Sequence, residues 1–183
     1  MNYLEQSFRR GNIAVAYIYC SYKEQEHQTD GNLIASLLQQ LVQRKTFIPD
    51  EISSLYHRHI RKQTRPTLDE WSELLQPEVR CFSEVFIIID ALDECSDDTR
   101  DRFLTEIRKL PSIHLLVTSR HVLTIEREFD KAVSVEITAS NEDVRRYLES
   151  RMERERRLAR YVRTDPTLKE TIISIIVEKA KGM

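Results

Sequence analysis

The chain has 183 residues, with 28 Lys and Arg against 30 Asp and Glu, a formal charge of −2 and three cysteines. It holds three glycines, Gly11, Gly31 and Gly182, where average usage would supply about 13. Loops that cradle phosphates need clustered glycines, because only a residue without Cβ lets several backbone N–H groups converge on an anion. No two glycines share a loop, so neither GxGxxG nor GxxxxGKS/T occurs within these residues.

Length alone favours one domain, burying roughly 70% of its extended surface. Cys20, Cys81 and Cys95 form no CxxC pair and are odd in number, which points to a reducing, intracellular and cytoplasmic setting rather than a secreted disulfide framework. The histidines at 27, 57, 59, 114 and 121 show no HExxH or Cys/His spacing, so no structural metal is expected. The apolar runs fall far short of the ~20 residues of a membrane span, and MNYLEQSFRRGN lacks the apolar core of a signal peptide. The near-neutral charge gives no global attraction to nucleic acid or anionic lipid. Locally, Arg151, Arg154, Arg156, Arg157, Arg160 and Arg163 face only Glu153 and Glu155, which reads either as a solvated helical face or as a surface for an anion or partner.

Four short apolar runs stand out along the chain, at residues 13–20, 85–90, 114–119 and 132–137. In IAVAYIYC and VFIIID both alternating sets are apolar, the pattern of parallel strands covered on both faces. Between the first two runs, Asp30 is placed to cap a helix with Leu33, Leu37, Leu38 and Leu41 at helical spacing. A second helix runs from Asp50 towards Lys62, with Ile52, Leu55, His59 and Ile60 turned inward. A third follows Pro66, where Thr67 and Glu70 have capping-box spacing and Trp71, Leu74 and Leu75 would face the sheet. Ser96 or Asp97 opens the next helix, which Pro111 closes, and a single helical turn fits near VLTIERE. Beyond Ile137 the chain reads as one long helix through NEDVRRYLESRMERERRLARYV and another after Pro166. The alternation predicts an α/β fold of three layers around a parallel sheet with right-handed crossovers.

The chemistry concentrates in VFIIIDALDEC, where an apolar strand ends in Asp90 and Asp93 and Glu94 follow. In an open parallel sheet, ligands bind beyond the carboxyl ends of the strands. Three carboxylates so close together would repel one another unless a cation or protons intervened, and a hard divalent cation such as Mg²⁺ is an economical neutraliser. The alternative is that Asp90 caps the turn while Asp93 and Glu94 face solvent. HLLVTSR repeats the arrangement, delivering Thr118, Ser119 and Arg120 to the same edge. Arg120 could stabilise charge on a transferred phosphoryl group, or pair with a neighbouring acid.

These segments resemble a known family. IIIDALDEC resembles the Walker B strand of the NACHT-type, signal-transducing (STAND) P-loop NTPases, and LLVTSR resembles their sensor 1 strand. IAVAYIYCSYKEQEHQT followed by LIASLLQQL resembles the second strand and helix of the nephrocystin-3-like amino-terminal domain, found in large proteins whose carboxyl-terminal halves carry repeats. The resemblance runs from about residue 12 to the end. It implies Mg²⁺ and ATP or GTP as cofactors, with Asp90 supporting the metal through water, Asp93 and Glu94 polarising or positioning the attacking water, and Arg120 sensing the γ-phosphate. Of the two acids, Glu94 is the stronger candidate for the base.

The resemblance also implies a first strand and a glycine-rich Walker A loop before residue 1, with MNYLEQSFRRGN as the end of the helix after that loop. KAKGM resembles the start of a pattern that the family continues. On this reading residues 1–137 are a partial NTPase core with an incomplete sheet and residues 138–183 its helical extension. The missing strand would lie between the third and fourth apolar runs, leaving a gap or an open edge. The chain alone would then bind ATP no better than in the millimolar range, because Walker A supplies most phosphate contacts.

The competing reading is a nucleotide-independent scaffold acting through protein partners or self-association. A phosphoacceptor receiver domain would want an acidic pair ending the first strand and a lysine ending the last, and the runs end instead in Cys20 and Ser21, and in Ile137 and Thr138. A Cys/His hydrolase built from Cys20 or Cys95 with His114 or His121 is disfavoured, since neighbouring carboxylates would raise the Cys95 pKa. An aspartic protease would want Asp-Thr/Ser-Gly, which Asp90-Ala91-Leu92 lacks. No recognition motif for nucleic acid accompanies the arginines.

Overall fold

A computed structural model describes residues 12–180, so the readings placed on residues 1–11 and on the end of KAKGM lie outside the described residues. The chain divides into two compact units between Asp130 and Lys131.

The first unit is built on a parallel sheet of order β1-β2-β3, with β1 at Ile13–Tyr19, β2 at Glu84–Asp90 and β3 at Ile113–Val117. Three of the four apolar runs are therefore strands. The helices of this unit are α1 (Asp30–Val42), α2 (Asp50–Lys62), α3 (Leu68–Arg80), α4 (Asp97–Arg108) and α5 (Leu123–Glu128). One face of the sheet, carrying Ala14, Ala16, Ile18, Val85, Ile87 and Ile89, packs on α1, α3 and α4 through Leu37, Leu41, Leu75, Phe103 and Ile107. The opposite face is more open: Phe86 stacks on His114 with ring centroids 4.6 Å apart, while Tyr19 and Leu116 are exposed. The three-layer expectation is thus corrected to one principal helical layer among the described residues.

Local chemistry sets the helix ends. Thr67 caps α3 in the predicted capping box, its side chain accepting from the Glu70 amide and the Glu70 carboxylate accepting from the Thr67 amide. The cap of α1 is Thr29 rather than Asp30. Thr29 Oγ1 accepts from the Asn32 amide, and the Asp30 side chain turns to the Gly31 amide at 2.8 Å. In α2 only Leu55 is buried, and Ile60, predicted to face inward, is exposed. Leu75 reaches the core as predicted, but Trp71 and Leu74 are only half-buried at its margin.

The two sheet edges are treated differently. On β1, the Gln40 side chain takes the place of a neighbouring strand: its Oε1 accepts from the Tyr17 amide at 2.9 Å and its Nε2 donates to the Tyr17 carbonyl at 2.8 Å. Gln28 repeats the device, donating to the Tyr19 carbonyl and accepting from the Ser21 amide. A paired backbone edge does not template further strands. β3 has no such cover among the described residues, and Leu115 and Leu116 are exposed on it.

The predicted fourth strand does not form. Residues 132–137 make no ladder among the described residues, and Val133, Val135 and Ile137 are 97%, 75% and 89% exposed. Alternating valine and isoleucine favour extended backbone, but a strand exists only against a partner that satisfies its N–H and C=O groups.

The second unit holds α6 (Asn141–Arg154), α7 (Arg156–Thr164) and α8 (Pro166–Ala180). The single long helix predicted over the first two is broken at Glu155, whose ψ of 98° leaves the helical region. In an unbroken helix Met152 and Val162 would stand about 15 Å apart along the axis. The break instead lets them meet with Ile173 in a small core.

Replacing Phe103, which is fully buried, by Ala should cost about 3–5 kcal/mol in urea unfolding. Gln40→Ala should cost about 1–3 kcal/mol by stripping the Tyr17 backbone of both partners, and should raise the tendency to associate in sedimentation measurements. An unchanged Gln40→Ala monomer would mean that this edge needs no cover.

Candidate functional site at the carboxyl edge of the sheet

β2 delivers Asp90 to the carboxyl edge, and β3 ends beside it. The ladder continues past both strands, with the Thr118 amide donating to the Ile89 carbonyl, the Leu92 amide to the Thr118 carbonyl and the Cys20 amide to the Asp90 carbonyl, each at 2.9 Å. Thr118 Oγ1 donates to Asp90 Oδ1 at 2.5 Å and accepts from the Ala91 amide at 2.9 Å. Ala91 itself sits in the left-handed region, φ 54° and ψ 50°. That conformation costs an L-residue about 1–2 kcal/mol, and it turns the chain sharply into the 3-10 turn at Leu92–Glu94. A small side chain at 91 limits the strain.

The three acids go to three different partners. Asp90 is held by Thr118, and its second oxygen makes no hydrogen bond among the described residues. Asp93 accepts from the Arg120 amide at 3.1 Å and from Arg120 Nε at 2.5 Å. Its side chain is nearly buried while that of Arg120 is largely exposed. Burial alone would raise the Asp93 pKa, but the Arg120 hydrogen bonds and charge hold it below the usual carboxylate range, and Arg120 is raised in turn by Asp93. Glu94 Oε2 accepts from the Tyr22 amide at 3.1 Å, and Gln25 Nε2 donates to the Glu94 carbonyl at 2.8 Å. Both partners lie in or beside the 3-10 turn at Tyr22–Glu24 that follows β1.

Thr118, Arg120 and the Tyr22 amide thus accommodate the three carboxylates separately. No three metal-binding side chains converge among the described residues. Asp90, whose second carboxylate oxygen makes no hydrogen bond among the described residues, offers the hard-oxygen chemistry that suits Mg²⁺. Among the described residues no glycine-rich loop cradles a phosphate. Gly31 lies in the first turn of α1, where an added Cβ would meet Trp71 Cδ1 at an ordinary 3.7 Å, so no backbone cradle requires that glycine.

Cys95 corrects another expectation. The hydrogen bond from Cys20, followed by the charge of Arg100 and the Ser96 amide, lowers its pKa against the opposing effect of burial. Cys20 is pushed upward, first by that same contact, then by burial and by the charges of Cys95, Asp90 and Asp93. The carboxylates thus act on Cys20 rather than on Cys95. His114 stacks on Phe86 and lies near Glu84, and His121 faces Glu126, which leaves the Cys/His hydrolase without a geometric basis.

Sequence reasoning brought Asp90, Asp93, Glu94 and Arg120 to one edge. It missed the Thr118 hydroxyl as the anchor of Asp90 and the Tyr22 amide as the partner of Glu94. Thr118 was signalled by its place at the end of the neighbouring strand, whereas a backbone amide carries no sequence signal. A separate apolar groove of about 940 Å³ lies against α1, α2 and α3, lined by Leu38, Val42, Phe47, Ile48, Tyr56 and Trp71. It is remote from these acids and holds no catalytic pair.

The Asp93 pKa is depressed in the fold, so its contribution to stability is complete above the ordinary Asp value of about 3.9 and is lost as pH falls through the folded value. Urea midpoints taken from about pH 6 to about pH 3 should show Asp93→Asn less stable than the parent at the upper end, with the gap closing on acidification. A pH-independent gap would show that the charge of Asp93 is not what stabilises the turn.

Among known families, the one described as nephrocystin 3, N-terminal, matches residues 1–120. No curated protein and no solved structure matches the chain. The matched segment takes in the whole β1-β2-β3 sheet and the acidic turn after β2, and on that coverage the chain belongs to the nephrocystin 3 N-terminal family.

Proposed function

We propose that the first unit is the acid-bearing part of a nucleoside triphosphatase switch of the NACHT-type STAND class, in which nucleotide state governs a conformational change in a signalling protein. The observation that carries this reading is Asp90 at the carboxyl edge of a parallel sheet, one oxygen fixed by Thr118 and the other open. Asp90 would hold Mg²⁺, which supplies charge neutralisation at the phosphates when bound. Glu94 is the stronger base, because only one of its oxygens is engaged. Asp93, with both oxygens on Arg120, orients that guanidinium, and Arg120 in turn reads the terminal phosphate through its exposed remaining N–H groups. The open β3 edge also fits a sheet that takes a further strand beside β3.

Without a glycine-rich loop among these 183 residues, the chain binds Mg-ATP weakly by itself. A second reading, a nucleotide-independent interaction module, draws on the exposed Leu115 and Leu116 of β3. Amide chemical shifts followed during titration of the chain with Mg-ATP separate the two. Shifts at residues 90–94 and 118–120 that saturate only in the millimolar range, and vanish in Asp90→Asn, are the expected result. No response up to about 10 mM would leave the interaction module as the better account, and micromolar saturation would refute weak binding. In a longer chain that turns over nucleotide, Glu94→Gln should slow hydrolysis at least about tenfold with binding retained.

A further inference from the structure

The second unit treats its arginines in two ways. On α6 they are answered by acids: Arg145 donates to Glu170 of α8 at 3.0 Å, Arg146 donates to Glu142 at 3.2 Å, and Arg151 lies 3.3 Å from Glu155. α7 differs. Its nine residues, RRLARYVRT, hold Arg156, Arg157, Arg160 and Arg163 and no acid. The acids that flank it are engaged elsewhere, Glu155 with Arg151, and Asp165 in accepting from the Thr167 and Leu168 amides at the start of α8. Ala159 and Val162 are buried, Val162 against Met152 and Ile173, which turns the four arginines and Tyr161 outward. None of the four guanidinium groups has an ion pair or hydrogen-bond partner among the described residues. Helix stability does not ask for this arrangement. Arg156 and Arg157 stand at the positive end of the helix dipole, with no side-chain cap from Glu155. Arg160 lies three or four residues from Arg156, Arg157 and Arg163, the spacing at which like charges repel. A face that is only solvated gains from mixed signs, as on α6, whereas a bound polyanion would relieve both costs on α7.

We propose that the exposed face of α7 is a sequence-independent binding surface for single-stranded nucleic acid. Arg156, Arg160 and Arg163 follow one another along one side of the helix over about 10 Å, a row that can meet successive phosphates of one strand. Every basic residue of α7 is Arg rather than Lys, and the planar guanidinium fork binds phosphate oxygens in pairs. Tyr161 decides among the polyanions. It is exposed one helical turn beyond Arg157 and offers a ring face on which an unstacked base can lie. An acidic peptide has no need of that ring. A lipid surface would call for apolar side chains to insert, and those of α7 are turned into the core. Binding through phosphates and stacking needs no base-reading motif. The inference concerns the second unit and is independent of the nucleotide reading.

The test is fluorescence anisotropy of a fluorescein-labelled oligothymidylate of about 12 nucleotides, titrated with the whole chain at salt from about 20 to about 200 mM. For the parent, log K should fall against log salt with a slope of about −2 to −3, the value for three or four phosphate contacts at about −0.7 each. Arg160→Gln should weaken binding and reduce that slope by about 0.7. Tyr161→Ala should raise the Kd at least about fivefold with the slope unchanged, while Tyr161→Phe binds as the parent does. Each variant should keep the helical circular dichroism of the parent, since both positions are exposed. Competition on the parent chain decides the ligand without any variant: unlabelled oligothymidylate should displace the probe, whereas polyglutamate, or vesicles of about 30% phosphatidylserine in phosphatidylcholine, should not at equal charge. Displacement by polyglutamate would assign the face to an acidic protein segment, and displacement by vesicles to lipid headgroups, and either overturns the inference. So does an unchanged anisotropy at the lowest salt, or a Tyr161→Ala chain that binds as tightly as the parent.

Discussion

The hydrogen bond from the Thr118 hydroxyl to Asp90 joins the ends of two strands at the point where both stop being strands. Its position matters because it sits on β2, which among the described residues is the strand with neighbours on both sides. With Thr118 bound to Asp90 and to the Ala91 amide, the turn after β2 must leave in one direction, and the left-handed backbone at Ala91 is the cost of that direction. From there Leu92 drops into the core, completely buried, and Asp93 and Glu94 are turned to Arg120 and to the Tyr22 amide. The site is therefore an extension of the sheet's own hydrogen bonding rather than a set of side chains added to it.

This dependence explains which features were legible in the sequence. β1, β2 and β3 were readable because continuous apolar runs bounded by polar residues have few other uses, and the capping box at Thr67 and Glu70 is a local exchange between residues three apart. Asp90, Asp93, Glu94 and Arg120 could be brought to one edge because parallel strands put their carboxyl ends together. Contacts that cross between elements left no such trace. Gln40, for one, reads as an ordinary polar residue on a helix, yet its amide replaces a strand beside Tyr17.

Two errors share a physical origin. Residues 132–137 have the composition of a strand, and residues 141–163 have the composition of a continuous helix, rich in Arg and Glu. In each case local propensity was read correctly and tertiary demand decided otherwise. A strand without a partner leaves its amides to solvent, and a helix that must bring Met152 to Val162 and Ile173 breaks where the chain can best bend. Propensity differences of a few tenths of a kcal/mol per residue are small beside the burial of several apolar side chains.

The two glutamines that cover the edge of β1 bear on assembly. A sheet open at both edges can add copies head to tail and grow without limit, whereas closing one edge leaves a single docking face. Gln28 and Gln40 thus occupy the backbone groups of Tyr17, Tyr19 and Ser21 that an incoming strand would need.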